Sequence, residues 1–137
     1  MVELIDGDLS YRIIGVLYKI YNTIGPGFQE KYYQRAIKKV LEKESIPFLE
    51  QIKVDFDFNG INIGRYYIDF VIDHRMVLEI KAKNFFSIKD IKQVLGYLKK
   101  SQIKVGLLVG FTSDGIKIKR ILRGIIIRDI CENQRRI

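Results

Sequence analysis

"FLEQIKVDFDFNGINIGRYYIDFVIDHRMVLEIKAK", residues 48–83, alternates by two: Ile52, Val54, Phe56 and Phe58 are interleaved with Gln51, Lys53, Asp55 and Asp57. That is the pattern of a strand with unlike faces. Asn59-Gly60 follows, the dipeptide preferred where two successive residues must take positive φ in a type I′ hairpin. A second strand therefore returns through "INIGRYYIDFVI", and Asp73-His74-Arg75 separates it from a third, "MVLEIKAK". The stretch predicts an antiparallel meander, with a bulge placed at Gly64.

Three residues interrupt the apolar strand centres: Asp69 in "YYIDFVI", and Glu79 and Lys81 in "VLEIKA". Period two puts Glu79 and Lys81 on one face. With a loop of residues 73–75, Asp69 falls opposite Glu79, bringing two carboxylates and an ammonium together. Without a bulge, pairing Phe58 with Ile61 also puts Asp69 on the face of Phe56 and Phe58, so its charge points at apolar surroundings. A carboxylate there needs a partner or a cation, because an isolated buried charge costs several kcal/mol. Glu-x-Lys alone is uninformative, since a salt-bridged cluster on a solvated sheet has the same spacing. A hard divalent cation such as Mg²⁺ takes carboxylate, carbonyl and water oxygens. Asp69, Glu79 and the Ile80 carbonyl could supply such a set, with Lys81 holding water or offsetting phosphate charge.

Working outward, Ile13, Ile14, Leu17, Ile20, Tyr21 and Ile24 form the apolar stripe of one helix ending at "GPG". Tyr33, Ile37, Val40 and Leu41 form that of a second helix, bounded by Pro47. Glu30 extends this second stripe at spacing three, which turns its carboxylate toward the sheet and makes it a candidate third acid of a metal site. Beyond the meander, Ser87 and Asp90 make a capping box for a helix burying Ile91, Val94 and Leu98. "KVGLLVGF" reads as a buried strand reached by a helical crossover, hence parallel to a neighbour. "GIKIKRILRGIIIRDI" adds one or two strands, or a strand and a short helix. The fold class is α/β, a mixed sheet flanked by helices in the order ααβββαββ, in a single domain over residues 1–137.

The 137 residues carry a formal charge of +8, which favours a polyanionic partner, although an Ile- and Lys-rich composition can produce the same excess. The single cysteine, Cys131, excludes an internal disulfide or a thiolate metal cluster. The single histidine, His74, excludes a multi-histidine zinc site, and its turn position predicts plain exposure. The acidic start "MVELIDGD" is no signal peptide and no apolar run reaches ~18 residues, so the expected location is cytoplasmic. Lys117, Lys119, Arg120, Arg123 and Arg128 form either a phosphate-contacting surface or a charged strand edge.

"YID" followed by "LEIKAK" resembles the PD-(D/E)XK nuclease superfamily, with its restriction-endonuclease-like core. "GFQEKYY" is similar to the G-x-x-E-x-x-Y signature of one family within it, through Gly27, Glu30 and Tyr33. "IKQVLGYL" resembles the Q-x-x-x-Y helix of RecB-like members, through Gln93 and Tyr97. Tyr21 stands where a histidine is frequent in that family, and Gly110 where an asparagine is common. The resemblance implies a Mg²⁺-dependent nuclease (Mn²⁺ substituting) acting on nucleic acid, DNA before RNA. Asp69, Glu79, Lys81 and Glu30 would be catalytic, and Asp69, Glu79, Ile80 and Glu30 would hold metal. Gln93, Tyr97 and Tyr33 would stand beside the site. The alternatives are a non-catalytic nucleic-acid-binding module of the same fold and a junction-resolvase-like endonuclease acting as a homodimer.

Overall fold

In the computed structural model, which describes residues 7–124, Asn59 and Gly60 hold φ of 50° and 79°. This is the doubly left-handed turn the Asn-Gly pair favours, and Phe58 lies directly opposite Ile61. The turn joins β1 (Phe48–Phe58) to β2 (Ile61–Ile72). Two helices precede them, α1 (Gly7–Ile24) and α2 (Glu30–Lys43). β3 (Met76–Lys81), α3 (Ile88–Ser101), β4 (Val105–Thr112) and β5 (Gly115–Leu122) follow, in the expected order ααβββαββ. The strands form one sheet in sequence order, antiparallel except for β3 and β4. A parallel pair cannot be joined by a tight turn, and α3 is the crossover between them.

Each helix buries one stripe. Leu9, Ile13, Val16, Leu17 and Ile20 of α1 and Tyr33, Ile37 and Leu41 of α2 pack on one face of the sheet, against Leu78, Ile80, Leu107 and Val109. Ile91, Val94 and Leu98 of α3 pack on the other, with Val77 and Leu108. Each such side chain contributes roughly 1.5–3 kcal/mol on leaving water. The Ser87–Asp90 capping box forms as the sequence predicts. The extra residues of "GIKIKRILRGIIIRDI" beyond Gly124, with Arg128 and Cys131, lie outside the described residues, as does the start of "MVELIDGD".

The hairpin departs from the expected parity in two places. Phe56 faces Gly64 while Asp57 faces Asn62, so Ile63, not Gly64, is the extra residue of a bulge. Asn62 Oδ1 accepts a hydrogen bond from the Gly64 N–H at 3.0 Å and closes it. One inserted residue exchanges the faces, so alternation puts Asp69 with Lys53 and Asp55 rather than with Phe56 and Phe58. The second break is at Gln51, whose φ is 51° and which interrupts the ladder opposite Asp69. On one side of it Ile52, Val54 and Ile68 pack with α3; beyond it Phe48, Phe70 and Ile72 pack with α1 and α2.

α3 packs tightly on the sheet at Gly106, where a Cβ would lie 2.8 Å from Val94 Cγ1 and 3.3 Å from Val77 Cβ. Gly106→Ala is therefore expected to lower the unfolding free energy by ~1–3 kcal/mol through overpacking. The check is a urea titration, where the midpoint should fall at unchanged slope.

Candidate metal and catalytic site

The three-residue turn Asp73–Arg75 sets Ile72 opposite Met76, Val71 opposite Val77 and Phe70 opposite Leu78. The ladder stops there, one step before Asp69 and Glu79. In its place the Asp69 N–H donates to Glu79 Oε1 at 2.9 Å, and the Ile80 N–H donates to Asp69 Oδ2 at 2.8 Å. Each strand's carboxylate thus satisfies a main-chain donor of the other. Both acids are buried, Asp69 at 7% and Glu79 at 4% exposure.

Helix α2 supplies the next layer. Its Gln34 amide donates to Asp69 Oδ1 at 3.0 Å, with the Gln51 amide at 3.5 Å. Gln34 was not among the sequence candidates. Its signal was its spacing, four residues after Glu30 and so on the same helix face. Glu30 Oε1 accepts from the Ala82 N–H at 3.2 Å, which ties the helix start to the end of β3. Among the described residues no group of three acids, histidines or cysteines closes a metal cage; Glu30 is brought near the pair but not into a three-acid cluster. Tyr33 is not at the site. It is fully buried, stacks on Phe111 with ring centroids 4.1 Å apart, and donates its hydroxyl proton to the Gly25 carbonyl at 2.7 Å. The tyrosine of "GFQEKYY" therefore clamps the turn that starts α2.

Lys81 Nζ lies 3.5 Å from Glu79 Oε2 and 3.6 Å from Asp90 Oδ1. Burial alone would lower its pKa, but Glu79, Asp90, Glu30 and Asp69 outweigh burial and hold it above the ordinary value. Lys81 is an ammonium at neutral pH. Asp90 also receives Lys83 Nζ at 2.5 Å; burial opposes its charge, yet Lys83, the Ser87 N–H and Lys81 keep its carboxyl below the usual range. Asp90 and Lys83 were missed because a capping residue and a lysine after a strand have ordinary explanations. On α3, Gln93 accepts the Tyr66 hydroxyl proton at its main-chain carbonyl, 3.0 Å away. Tyr97 packs against the second core cluster.

The donor set fits a hard divalent cation. Asp69 and Glu79 offer only oxygens, and an ionised carboxylate has about four acceptor positions, which the protein's own donors do not exhaust. Lys81 is a cation beside the pair, and its charge does not offset their burial. Burial, then the Asp69 charge, pushes the Glu79 carboxyl up from 4.5 to about 8, and burial raises Asp69 as well. Mg²⁺ is commonly held by one or two carboxylates plus waters and substrate phosphate, so two acids and a carbonyl suffice.

The sequence pattern of the PD-(D/E)XK nuclease superfamily matches residues 7–121, from the start of α1 into β5. The chain belongs to the PD-(D/E)XK nuclease superfamily. Among solved structures, that of SSO0001 is similar at 21% identity and a TM-score of 0.54, over 74% of this chain and 54% of that one. The chain thus spans about half of that protein, and the likeness is one of fold. An alkaline exonuclease (LHK-Exo) from Laribacter hongkongensis aligns over 98% of this chain and 78% of its own, at 11% identity and a TM-score of 0.49. No curated protein sequence matches.

Two departures noted in this superfamily member have local reasons. A Cβ at Gly110 would lie 3.2 Å from the Lys83 carbonyl and 3.3 Å from the Phe86 ring, so a bare backbone lets the loop after β3 rest on β4. Tyr21 donates its hydroxyl proton to the Thr112 carbonyl at 2.7 Å. The basic residues of β5 are not one open phosphate surface. Lys119 is buried, Lys117 binds the Asn84 carbonyl, Arg120 binds Ser10, and Arg123 binds Gln102. His74 is exposed in its turn, as expected. No described helix is long and apolar enough to cross a membrane.

Because folded Glu79 keeps its proton up to about pH 8 while the unfolded residue releases it near 4.5, the folded state binds more protons across that window. Stability is then present below 4.5 and is lost as pH rises toward 8. In chelator, the melting temperature is expected to fall over this range, and Glu79→Gln should flatten the fall. An unchanged slope in that variant would place the titration elsewhere.

Proposed function

We propose that the chain is a Mg²⁺-dependent nuclease hydrolysing nucleic-acid phosphodiester bonds, DNA first among them, with Mn²⁺ as a working substitute. The observation that supports this best is the reciprocal pair at the end of the β2–β3 ladder, where Asp69 and Glu79 each accept a main-chain N–H of the other strand. That arrangement fixes both carboxylates through main-chain donors, with Lys81 on the Glu79 side of the pair. A module that only bound nucleic acid would gain nothing from buried acids beside phosphate, since like charges repel there.

Asp69, Glu79 and the Ile80 carbonyl would hold the cation, which when bound lowers the pKa of water and draws charge from the phosphate. Gln34 orients Asp69 through Oδ1, leaving the orientation of that carboxylate independent of substrate. Lys81, fixed between Glu79 and Asp90, presents its ammonium to the attacking water and to charge growing on the phosphate. As an ammonium it donates hydrogen bonds and does not itself take the water's proton. Glu30 braces the end of β3 through the Ala82 N–H and acts on a ligand water rather than as a direct ligand. Gln93 stands beside the site on the Q-x-x-x-Y helix, and Tyr97 supports that helix from the core. We also assign the chain, on Gly27, Glu30 and Tyr33, to the GxxExxY family within the superfamily.

With Mg²⁺ or Mn²⁺ the protein is expected to cut labelled oligonucleotides, and Asp69→Asn, Glu79→Gln and Lys81→Ala should each slow cleavage by ~10²–10⁴-fold while nucleic-acid binding persists. Calorimetry should show Mn²⁺ binding to the wild type and none to Asp69→Asn. Absence of both cleavage and Mn²⁺ binding would sink the enzyme reading. Glu30→Gln and Gln34→Ala should leave the fold intact and weaken Mn²⁺ affinity by ~10–100-fold, the usual effect of losing a group that supports metal ligands.

A further inference from the structure

The β1–β2 hairpin and α3 enclose an open groove of about 970 Å³. Its walls are chemically unlike. On the helix side Lys89, Lys92 and Lys99 are exposed along one stripe, with Gly96 in the same row at spacings of three and four. At 1.5 Å rise per residue the stripe is ~15 Å long, which spans about four phosphates of a stacked strand at ~3.4 Å each. On the hairpin side Phe56 is 56% exposed and, by alternation with Val54, faces α3, while the side chains of Asp55 and Asp57 belong to the opposite face of the sheet. Helix and hairpin touch at Gly96, where a Cβ would come within 3.0 Å of the Tyr66 hydroxyl. The Lys100 ammonium is tied to the Asp55 carbonyl and joins the walls at the far end of the helix.

Tyr66 and Gln93, bonded to each other, also line the groove. Glu79 lies two residues beyond Val77, which packs with α3, and Lys81 links it to Asp90 at the start of that helix, so the groove runs alongside the acid pair. Nothing in the metal site accounts for three exposed lysines in register or for a phenylalanine left half in water.

We infer that this groove is the track of a single strand of nucleic acid entering the Asp69–Glu79 site, with its phosphates along the α3 lysines and its bases toward Phe56. The inference rests on the nuclease reading, and it names the form of substrate that reading leaves open. The aromatic wall decides between one strand and two: a single strand with its phosphates on the lysines can turn its bases to the hairpin. Phe56 then has an unpaired base face to stack on, which a paired base inside a duplex does not offer.

The test is fluorescence anisotropy on the wild-type protein in chelator, so that nothing is cut, with a labelled single-stranded oligonucleotide and a blunt duplex of the same sequence. The single strand is expected to bind more tightly. Phe56→Ala should weaken its binding by about tenfold, the scale of one lost stacking contact. The double variant Lys92→Ala, Lys99→Ala should reduce the slope of log affinity against log salt by about 1.4, two phosphate contacts on a single strand. All three side chains are exposed, and unchanged urea midpoints would show that the variants fold. Duplex binding equal to or tighter than the single strand, or single-strand binding unmoved in both variants, overturns the track. A cleavage assay with Mg²⁺ on the same proteins keeps the two readings apart. Cleavage with binding unmoved by the variants removes the track and leaves the nuclease. Binding that follows the variants, with no cleavage or Mn²⁺ uptake, keeps the track and removes the nuclease.

Discussion

Two carboxylates held out of water at adjacent strand positions are the constraint around which the molecule is arranged. Asp69 and Glu79 would repel each other and lose hydration, a combination that costs several kcal/mol unless donors and a cation compensate. The protein supplies the donors from its own main chain, exchanging the Asp69 and Ile80 N–H groups for the next ladder bonds of β2 and β3. That exchange has a structural consequence. Once the backbone donors are committed to side chains, the strands no longer need the ladder spacing, and β2 can kink away toward α2. The kink is visible in the packing: Asp69 bonds Gln34 of α2, and its neighbour Phe70 packs with the same helices, whereas Ile68 packs with α3.

The position of α2 matters for the same reason. Its Glu30 and Gln34 reach β3 and β2 respectively, so a slide of the helix would unseat both. Tyr33, between them in sequence, prevents it by stacking flat on Phe111 of β4 and bonding the Gly25 carbonyl. Gly25 and Gly27 hold φ of 74° and 94°, conformations that favour glycine. Thus the conformational freedom of two glycines sets where the helix begins, an aromatic stack fixes its height on the sheet, and two polar side chains of the same turn then meet the acids. A motif that reads as one chemical unit, "GFQEKYY", divides into an anchoring half and a site-facing half.

Much of this was legible because it rests on local chemistry. Asn59-Gly60 determined one turn and Asp73–Arg75 the other, and counting back from the second set Asp69 beside Glu79. The parallel placement of β4 followed from the crossover helix. What failed depended on tertiary adjustment. The bulge expected at Gly64 forms at Ile63, and its inserted residue reverses every side chain beyond it relative to an unbroken ladder. Gln51 takes a left-handed φ without being glycine or asparagine, so no composition signal announces the second reversal. Gln34 carries no charge and interrupts no pattern, and Asp90 already had a capping role; each gains its place at the site only when α2 and α3 dock on the two faces.

The formal charge of +8 also acquires a distribution. Of the cations in and just after β5, Lys119 is buried and Arg120 bonds Ser10 in a part-buried setting, whereas Lys117 and Arg123 bond Asn84 and Gln102 at the surface. The lysines of α3 stand in water along a groove that runs alongside the acid pair. An anionic substrate approaching the acids would meet repulsion from Glu30, Asp69, Glu79 and Asp90 unless positive charge were held alongside. Lys81 and Lys83 offset the acids at short range, while the helix stripe acts over the ~8–10 Å on which exposed charges still interact in physiological salt. On the proposed function, acids holding a cation and lysines holding phosphates would share one site only if the two fields were spatially separated. The buried acids on the sheet and the exposed lysines on the outer side of α3 would provide that separation.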